Sequence, residues 1–214
     1  MSTWDLKFIK CDEYKIAGFC FPKAASTSVM RTINTLNVGR KRWNKDTQNV
    51  TTSVPSNYKV FVFVRNPYSR IFSSYANLTY FEQLNKKVDI SFPDFVVHGL
   101  EIPSWKQRPR YAQFRSIVQK LPDHTEIYRF EEFSEKMKEI LESVGLLDRY
   151  IPHENKTIKE FREKDYKDAY DNKSKFMIKC NYHWDLKYLN YTFDSYGELP
   201  TIKELKAADI SEEG

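Results

Sequence analysis

Apolar residues in this chain gather in short unbroken runs, Ile16 to Phe21 (IAGFCF) and Tyr58 to Val64 (YKVFVFV). Runs of this length, rich in β-branched and aromatic side chains with little polar alternation, predict central strands covered on both faces. A third strand is predicted at Glu126 to Phe130 (EIYRF). Each is followed by a helical pattern: Ser26 to Leu36, Pro67 to Leu84, and Glu131 to Val144. In the last, Phe133, Met137, Ile140, Leu141 and Val144 recur at helical spacing before Gly145 stops the run. Strand then helix, three times over, predicts a parallel α/β sheet with crossover helices.

Two long stretches fit that scheme less well. Asn37 to Asn57 is polar and reads as a surface excursion between strands, and Asn85 to Leu121 mixes turn residues with a helix predicted from about Trp105 to Lys120. Long connections of this kind commonly carry the substrate pocket of an α/β protein. The C-terminal third is helical by pattern, from about Ile158 to Tyr170 and again from Lys173 to Tyr191. From Glu198 onward the chain reads as a short polar ending.

Composition narrows the class without choosing a function. The 214 residues are 41% hydrophobic and 29% charged with 15 Phe, 14 Tyr and 4 Trp, too aromatic for a disordered chain and too polar for a membrane protein. A chain of this size buries roughly 70% of its unfolded surface. With no internal repeat, low-complexity tract or Gly/Ser linker, a single domain over 1–214 is expected. No stretch approaches the ~20 apolar residues of a transmembrane helix, and the N-terminus meets charge at Asp5, Lys7, Lys10 and Asp12, which argues against a secretory signal and for a soluble, cytoplasmic chain. Cys11, Cys20 and Cys180 are widely spaced with no C-x-x-C pair, so reduced thiols are expected and neither a disulfide framework nor a zinc site. The net charge of +5 suits a polyanion, a phosphorylated cofactor or an acidic substrate alike.

The segment GFCFPKAASTSVMRTI carries more chemistry. A buried strand ends at Phe21, and Pro22, Lys23, Ala24, Ala25, Ser26, Thr27 and Ser28 lead into a helix. Helix-start N–H groups carry the positive end of the helix dipole, small residues let an anion come close, hydroxyls add donors, and Lys23 would supply a point charge. It is not a Walker A loop, because its glycines are absent and the lysine stands before the small residues. The plainer alternative is an ordinary strand-to-helix turn with Ser26 as N-cap.

The second segment is VFVFVRNPYSRIFSSY. A buried strand delivers Arg65 at its C-terminal end, then Asn66 and Pro67 open a helix with Ser69, Arg70, Ser73 and Ser74 in its first turns. Ligands of open α/β folds bind at that edge of the sheet, and the planar guanidinium fork suits a phosphate. The alternative is that Arg65 pairs with a carboxylate for structure.

Together the two segments resemble the nucleotide-binding signatures of the carbohydrate (Golgi-type) sulfotransferase family, which uses 3′-phosphoadenosine 5′-phosphosulfate (PAPS) and releases adenosine 3′,5′-bisphosphate (PAP). The family's P-K-x-x-S-T-S loop around the 5′-phosphosulfate is matched by Pro22, Lys23, Ala24, Ala25, Ser26, Thr27 and Ser28. Its R-N-P-x-x-R-x-x-S-x-Y element, which holds the 3′-phosphate, is matched by Arg65, Asn66, Pro67, Arg70, Ser73 and Tyr75. Looser likenesses are IYRFEEF at 127–133, the closing run YHWDLKYLNY at 182–191, and HENKT at 153–157, similar to a loop that closes over the cofactor and implicating Lys156 and Thr157. The resemblance implies a P-loop-like three-layer α/β fold with a short central parallel sheet flanked by helices, and sulfuryl transfer from PAPS to a hydroxyl, a carbohydrate hydroxyl foremost, on a glycan or small acceptor. Related glycan enzymes place a general base in the middle connection, where FPDFVVHGLEIPSWKQRPRYAQF shows no clear match; by type, His98 and Glu101 are the candidates. His98 reads equally as a structural histidine on a helix ending at Gly99, and His124, His153 and His183 fit structural roles.

Two basic clusters remain: Arg40, Lys41, Arg42 and Lys45 around Trp43, and Lys106, Arg108, Arg110 and Arg115 beside Trp105 and Tyr111. Such charges with aromatic platforms could hold an anionic or sugar-rich acceptor, or single-stranded nucleic acid; a solvated basic face is the commonest reading. A basic nucleic-acid-binding domain is therefore the non-enzymatic rival, disfavoured because it leaves the pairing of the Lys23 and Arg65 segments unexplained. A P-loop-like nucleotide kinase or phosphotransferase is the enzymatic one. With no H-E-x-x-H, no clustered Cys/His and no EF-hand-type run, no metal is expected.

Overall fold

A computed structural model describes residues 7–36, 54–83, 90–101, 111–146 and 165–213. The chain divides into two compact units. The sheet unit comprises Asp5–Val64, Phe114–Asn155 and Leu199–Gly214; the helical unit comprises Met1–Trp4, Arg65–Gln113 and Lys156–Glu198.

The sheet unit is built on four strands in the order β1 (Lys7–Cys11), β2 (Ile16–Cys20), β3 (Lys59–Val64) and β4 (Glu126–Arg129). β2, β3 and β4 run parallel, with Gly18 opposite Phe61 and Val62 opposite Ile127. The expected parallel sheet is therefore present, and β1 adds an antiparallel edge to it. Lys7 and Lys10 interrupt the apolar pattern of β1, but an edge strand tolerates lysine and is protected by it. A turn closed by Lys15 at φ +50° joins β1 to β2. All five residues of β2 are buried, as are all of β3 except Lys59.

Helix α1 (Ser26–Leu36) packs on β1 and β2, burying Val29 and Ile33. Gly18 permits that approach, since a Cβ there would stand 2.7 Å from Val29 Cγ1. Also in this unit are the single-turn α4 (Arg115–Val118) and α5 (Phe133–Ser143), whose Phe133 ring meets Phe63 edge-on at 4.9 Å. Gly145, at φ +79°, stops α5 as expected: its N–H and that of Leu146 turn back onto the carbonyls of Glu142 and Leu141 at 3.0 and 2.9 Å. The longer helix expected from Trp105 shows only α4 among the described residues; 102–110 lie outside them.

The stretch read as a polar ending instead forms α9 (Ile202–Glu213). Thr201 and Glu204 cap it reciprocally: the Thr201 N–H donates to Glu204 Oε2 at 2.7 Å and the Glu204 N–H to Thr201 Oγ1 at 3.3 Å. Ile202, Leu205 and Asp209, three and four residues apart, make its buried stripe. Asp209 meets Arg115 of α4 at 2.7 Å.

The helical unit holds α2 (Pro67–Gln83), α3 (Phe92–Glu101), α6 (Tyr166–Ala169), α7 (Asn172–Asn181) and α8 (His183–Tyr188). The single helix expected over Lys173–Tyr191 is thus two, broken at Tyr182 (φ −117°, ψ 23°). Aromatic rings fill the core, among them Tyr68, Phe92, Phe95, Tyr111, Tyr170 and Tyr182. Two of the hydroxyls donate to core carbonyls: Tyr170 to that of Tyr68 at 3.0 Å and Tyr182 to that of Tyr111 at 2.8 Å. Burial pushes both phenols well above their ordinary range, so they remain protonated donors. Helix α3 does not end at Gly99. It runs on to Glu101, with Gly99 inside it because the Tyr111 ring lies there: a Cβ would stand 1.9 Å from the Tyr111 hydroxyl.

Candidate active site

The lysine loop belongs to the sheet unit. It leaves the C-terminal end of β2 through buried Phe21 and reaches α1 in four residues. Lys23 and Ala25 both take left-handed backbone, at φ +61° and +59°, on either side of Ala24. Neither is a glycine, so each costs of order 1 to 3 kcal/mol that the surroundings must impose. Alternation of hand over successive residues is the backbone geometry from which N–H groups converge on an anion. Buried Ala24 closes the turn, its N–H reaching the Phe21 carbonyl at 3.2 Å. Cys20 Sγ donates to the Ser26 carbonyl at 3.7 Å, tying the strand end to the helix start. Lys23, Ala25, Ser26 and Thr27 are half-buried and Ser28 is buried.

The arginine segment opens the helical unit. β3 lies parallel beside β2, so the two strands end at the same edge of the sheet, and the residue after Val64 is Arg65. Asn66 caps α2: its Oδ1 accepts the Tyr68 N–H at 3.0 Å, while its Nδ2 donates to the Thr192 carbonyl at 2.8 Å. Pro67 takes the first helical position, where no N–H is needed. Arg65, half-buried, donates from Nε to Ser69 Oγ at 3.0 Å. Ser73, one turn beyond Ser69, is 8% exposed. Neither α1 nor α2 has an acidic residue in its first turn, where proteins ordinarily place Asp or Glu against the dipole.

The two arginines of the R-N-P-x-x-R element part company. Arg70 is fully buried in the helical unit, 3.9 Å from Asp185, itself 2% exposed, with its guanidinium 5.2 Å from the centre of the Tyr182 ring. Arg70 thus makes a buried pair with a carboxylate.

His98 and Glu101 both stand exposed on α3, one turn apart. His124 is exposed just before β4, and His183 starts α8 with Nδ1 3.2 Å from the Cys180 carbonyl. His153, Lys156, Thr157, the cluster at 40–45, and Trp105, Lys106, Arg108 and Arg110 lie outside the described residues. Arg115 is engaged by Asp209 at 2.7 Å. Tyr111 is no aromatic platform: it is buried, with its hydroxyl on the Phe95 carbonyl at 3.3 Å. Cys11 and Cys20 are buried thiols and Cys180 an exposed one. Among the described residues no group of three or more His, Cys, Asp or Glu could hold a metal ion, and no helix is long and apolar enough to cross a membrane.

The two segments thus present two strand-to-helix passages that suit anions, on neighbouring parallel strands. A model of the sulfotransferase family matches residues 6–192. The chain is a sulfotransferase family member. The match takes in β1 to α8 and leaves α9 beyond it. No curated protein and no solved structure matches the chain. Family membership makes the chemistry of this sulfotransferase sulfuryl transfer, of the EC 2.8.2 type.

Sequence reading missed the Arg65–Ser69 contact and the Asn66–Thr192 tie. The first had a signal, the four-residue spacing at a helix start. The second joins residues 126 positions apart and had none.

Proposed function

We propose that this sulfotransferase, read as one domain, moves a sulfuryl group from PAPS to a hydroxyl of an acceptor, a carbohydrate foremost. The observation that carries the reading is the glycine-free loop with left-handed Lys23 and Ala25 at the start of α1. Strain held in a loop without glycine points to a function for that conformation. Ala24, Ala25, Ser26, Thr27 and Ser28 take the 5′-phosphosulfate with backbone and hydroxyl donors, and Lys23 adds its ammonium. Arg65 and Ser73 take the 3′-phosphate, and the family resemblance adds Lys156 and Thr157 as further contacts to the nucleotide.

The acceptor hydroxyl attacks sulfur in line. One S–O bond forms as the bond from sulfur to the 5′-phosphate oxygen breaks, and PAP leaves with the bonding pair. Lys23 neutralises the charge developing on that oxygen, an electrostatic task that dominates in phosphoryl transfer and its sulfuryl analogue. The acceptor proton goes to His98 or Glu101 and from there to water. Substituting each by Ala separates them: the true base abolishes the acidic limb of the pH–rate profile, and the other substitution leaves it intact. Survival of that limb in both variants would remove both from the role.

The reading is tested with PAPS labelled in the sulfuryl group and a panel of glycans and small hydroxylated acceptors. Label should move to one class of acceptor, in the presence of a chelator as well as without it. Transfer that required magnesium, or phosphoryl transfer from ATP in its place, would favour the kinase-like alternative.

A further inference from the structure

We infer that Ser69 is a positioning residue for Arg65, and through it for the 3′-phosphate of the donor; this rests on the PAPS reading above. The Ser69 hydroxyl is used in both directions. It accepts from Arg65 Nε at 3.0 Å and points toward the Asn66 carbonyl at 3.3 Å, to which it donates. A hydroxyl has one hydrogen to give, and giving it back to a carbonyl three residues earlier turns its lone pairs away from the helix, where the guanidinium meets them.

The contact is anchored at its other end. Asn66, whose carbonyl receives the Ser69 hydroxyl, is 5% exposed and held by both of its side-chain atoms, Oδ1 on the Tyr68 N–H and Nδ2 on the Thr192 carbonyl. A chain of hydrogen bonds therefore runs from Thr192 through Asn66 and Ser69 to Arg65, all within the helical unit. Arginine has a long side chain with many rotamers, and a phosphate fork needs its plane fixed before the ligand arrives. Ser69 fixes that plane through Nε. Ser73 lies one turn beyond Ser69 along α2, on the same face of the helix, and Arg65 stands two residues ahead of that helix.

The test is calorimetric titration of PAP and of adenosine 5′-monophosphate, which lacks the 3′-phosphate. The proteins are wild type, Ser69→Ala, Ser69→Thr, Arg65→Ala and the double variant Arg65→Ala/Ser69→Ala. Ser69→Ala should weaken PAP about tenfold, the loss of one hydrogen bond to a charged group, and leave the monophosphate within about twofold. Ser69→Thr, which keeps the hydroxyl, should restore PAP binding. In the Arg65→Ala background Ser69→Ala should change nothing further, because its effect passes through the arginine. Should Ser69→Ala fold poorly, Ser69→Val against Ser69→Thr repeats the comparison at matched shape.

PAP affinity unchanged in Ser69→Ala, equal weakening of both ligands, or a full additional loss in the Arg65→Ala background would each overturn the inference. Wild type binding the two nucleotides equally would overturn the PAPS reading and this inference with it, and that result is recognised from the wild-type titrations alone.

Discussion

Two arginines five residues apart, Arg65 and Arg70, do opposite work in this sulfotransferase. Arg70 spends its charge inside the helical unit against Asp185, whereas Arg65 remains half-buried at the head of α2. Asp185→Ala would remove the buried carboxylate that faces the Arg70 guanidinium and should cost about 3 to 5 kcal/mol, read as a lowered denaturant midpoint with unchanged slope. A loss under about 1 kcal/mol would mean that the pair, at 3.9 Å, contributes little more than a surface contact. Lys23 predicts a kinetic effect instead. Lys23→Ala should lower kcat about 10² to 10³-fold while PAP binding, still held through Arg65 and Ser73, changes less. A near-normal kcat would take Lys23 out of the mechanism. Ala25 offers a check on the loop itself, because replacement by Gly at φ +59° removes a steric penalty. Where Ala→Gly in a helix costs about 1 kcal/mol, here it should be neutral or stabilising in a thermal melt.

At the scale of elements, the sequence was legible where local signals agreed with burial. The bounds of α1, the start of α2 at Pro67 and the stop at Gly145 follow from the hydrophobic pattern together with proline and glycine chemistry. Both segments of the candidate site were legible for the same reason, since each is a buried strand passing directly into a helix. What escaped depended on partners that the local pattern does not show. β1 has two lysines among its five residues and becomes a strand by pairing with its hairpin neighbour β2, and the break at Tyr182 accompanies a hydroxyl donated to the Tyr111 carbonyl, 71 residues away. α9 did carry a local sign, the T-x-x-E capping box, which its polar composition obscured. Gly99 illustrates the same dependence. Nothing around it in sequence announces that Tyr111 occupies the place of its side chain, yet Gly99→Ala must displace that ring. Overpacking of this kind should lower stability by about 1 to 3 kcal/mol, seen as a reduced melting temperature; an unchanged one would show that α3 and Tyr111 part at little cost.

For the whole molecule, four exposed carboxyls contribute to the response to acid. A hydrogen bond from Lys10, then one from Tyr58, holds Asp12 below its ordinary value of 3.8, and a bond from Lys206 does the same for Asp123. Ser174 lowers Asp171, and the Thr201 backbone lowers Glu204. A carboxyl lowered by folding contributes stability above its unfolded pKa and loses it as pH falls through the folded one. The melting temperature should therefore be insensitive to these groups near neutrality and drop below about pH 4, and Asp123→Asn should lessen that drop. The central claim, that this sulfotransferase recognises a nucleotide carrying both a 5′-phosphate and a 3′-phosphate, is tested most directly by titrating PAP and adenosine 5′-monophosphate into the wild-type protein and Arg65→Ala. Wild type should prefer PAP by about 2 to 5 kcal/mol, the worth of a charged partner at a bound phosphate, and Arg65→Ala should remove most of that preference, leaving what Ser73 supplies. Equal affinity of the wild-type protein for the two nucleotides would contradict the account.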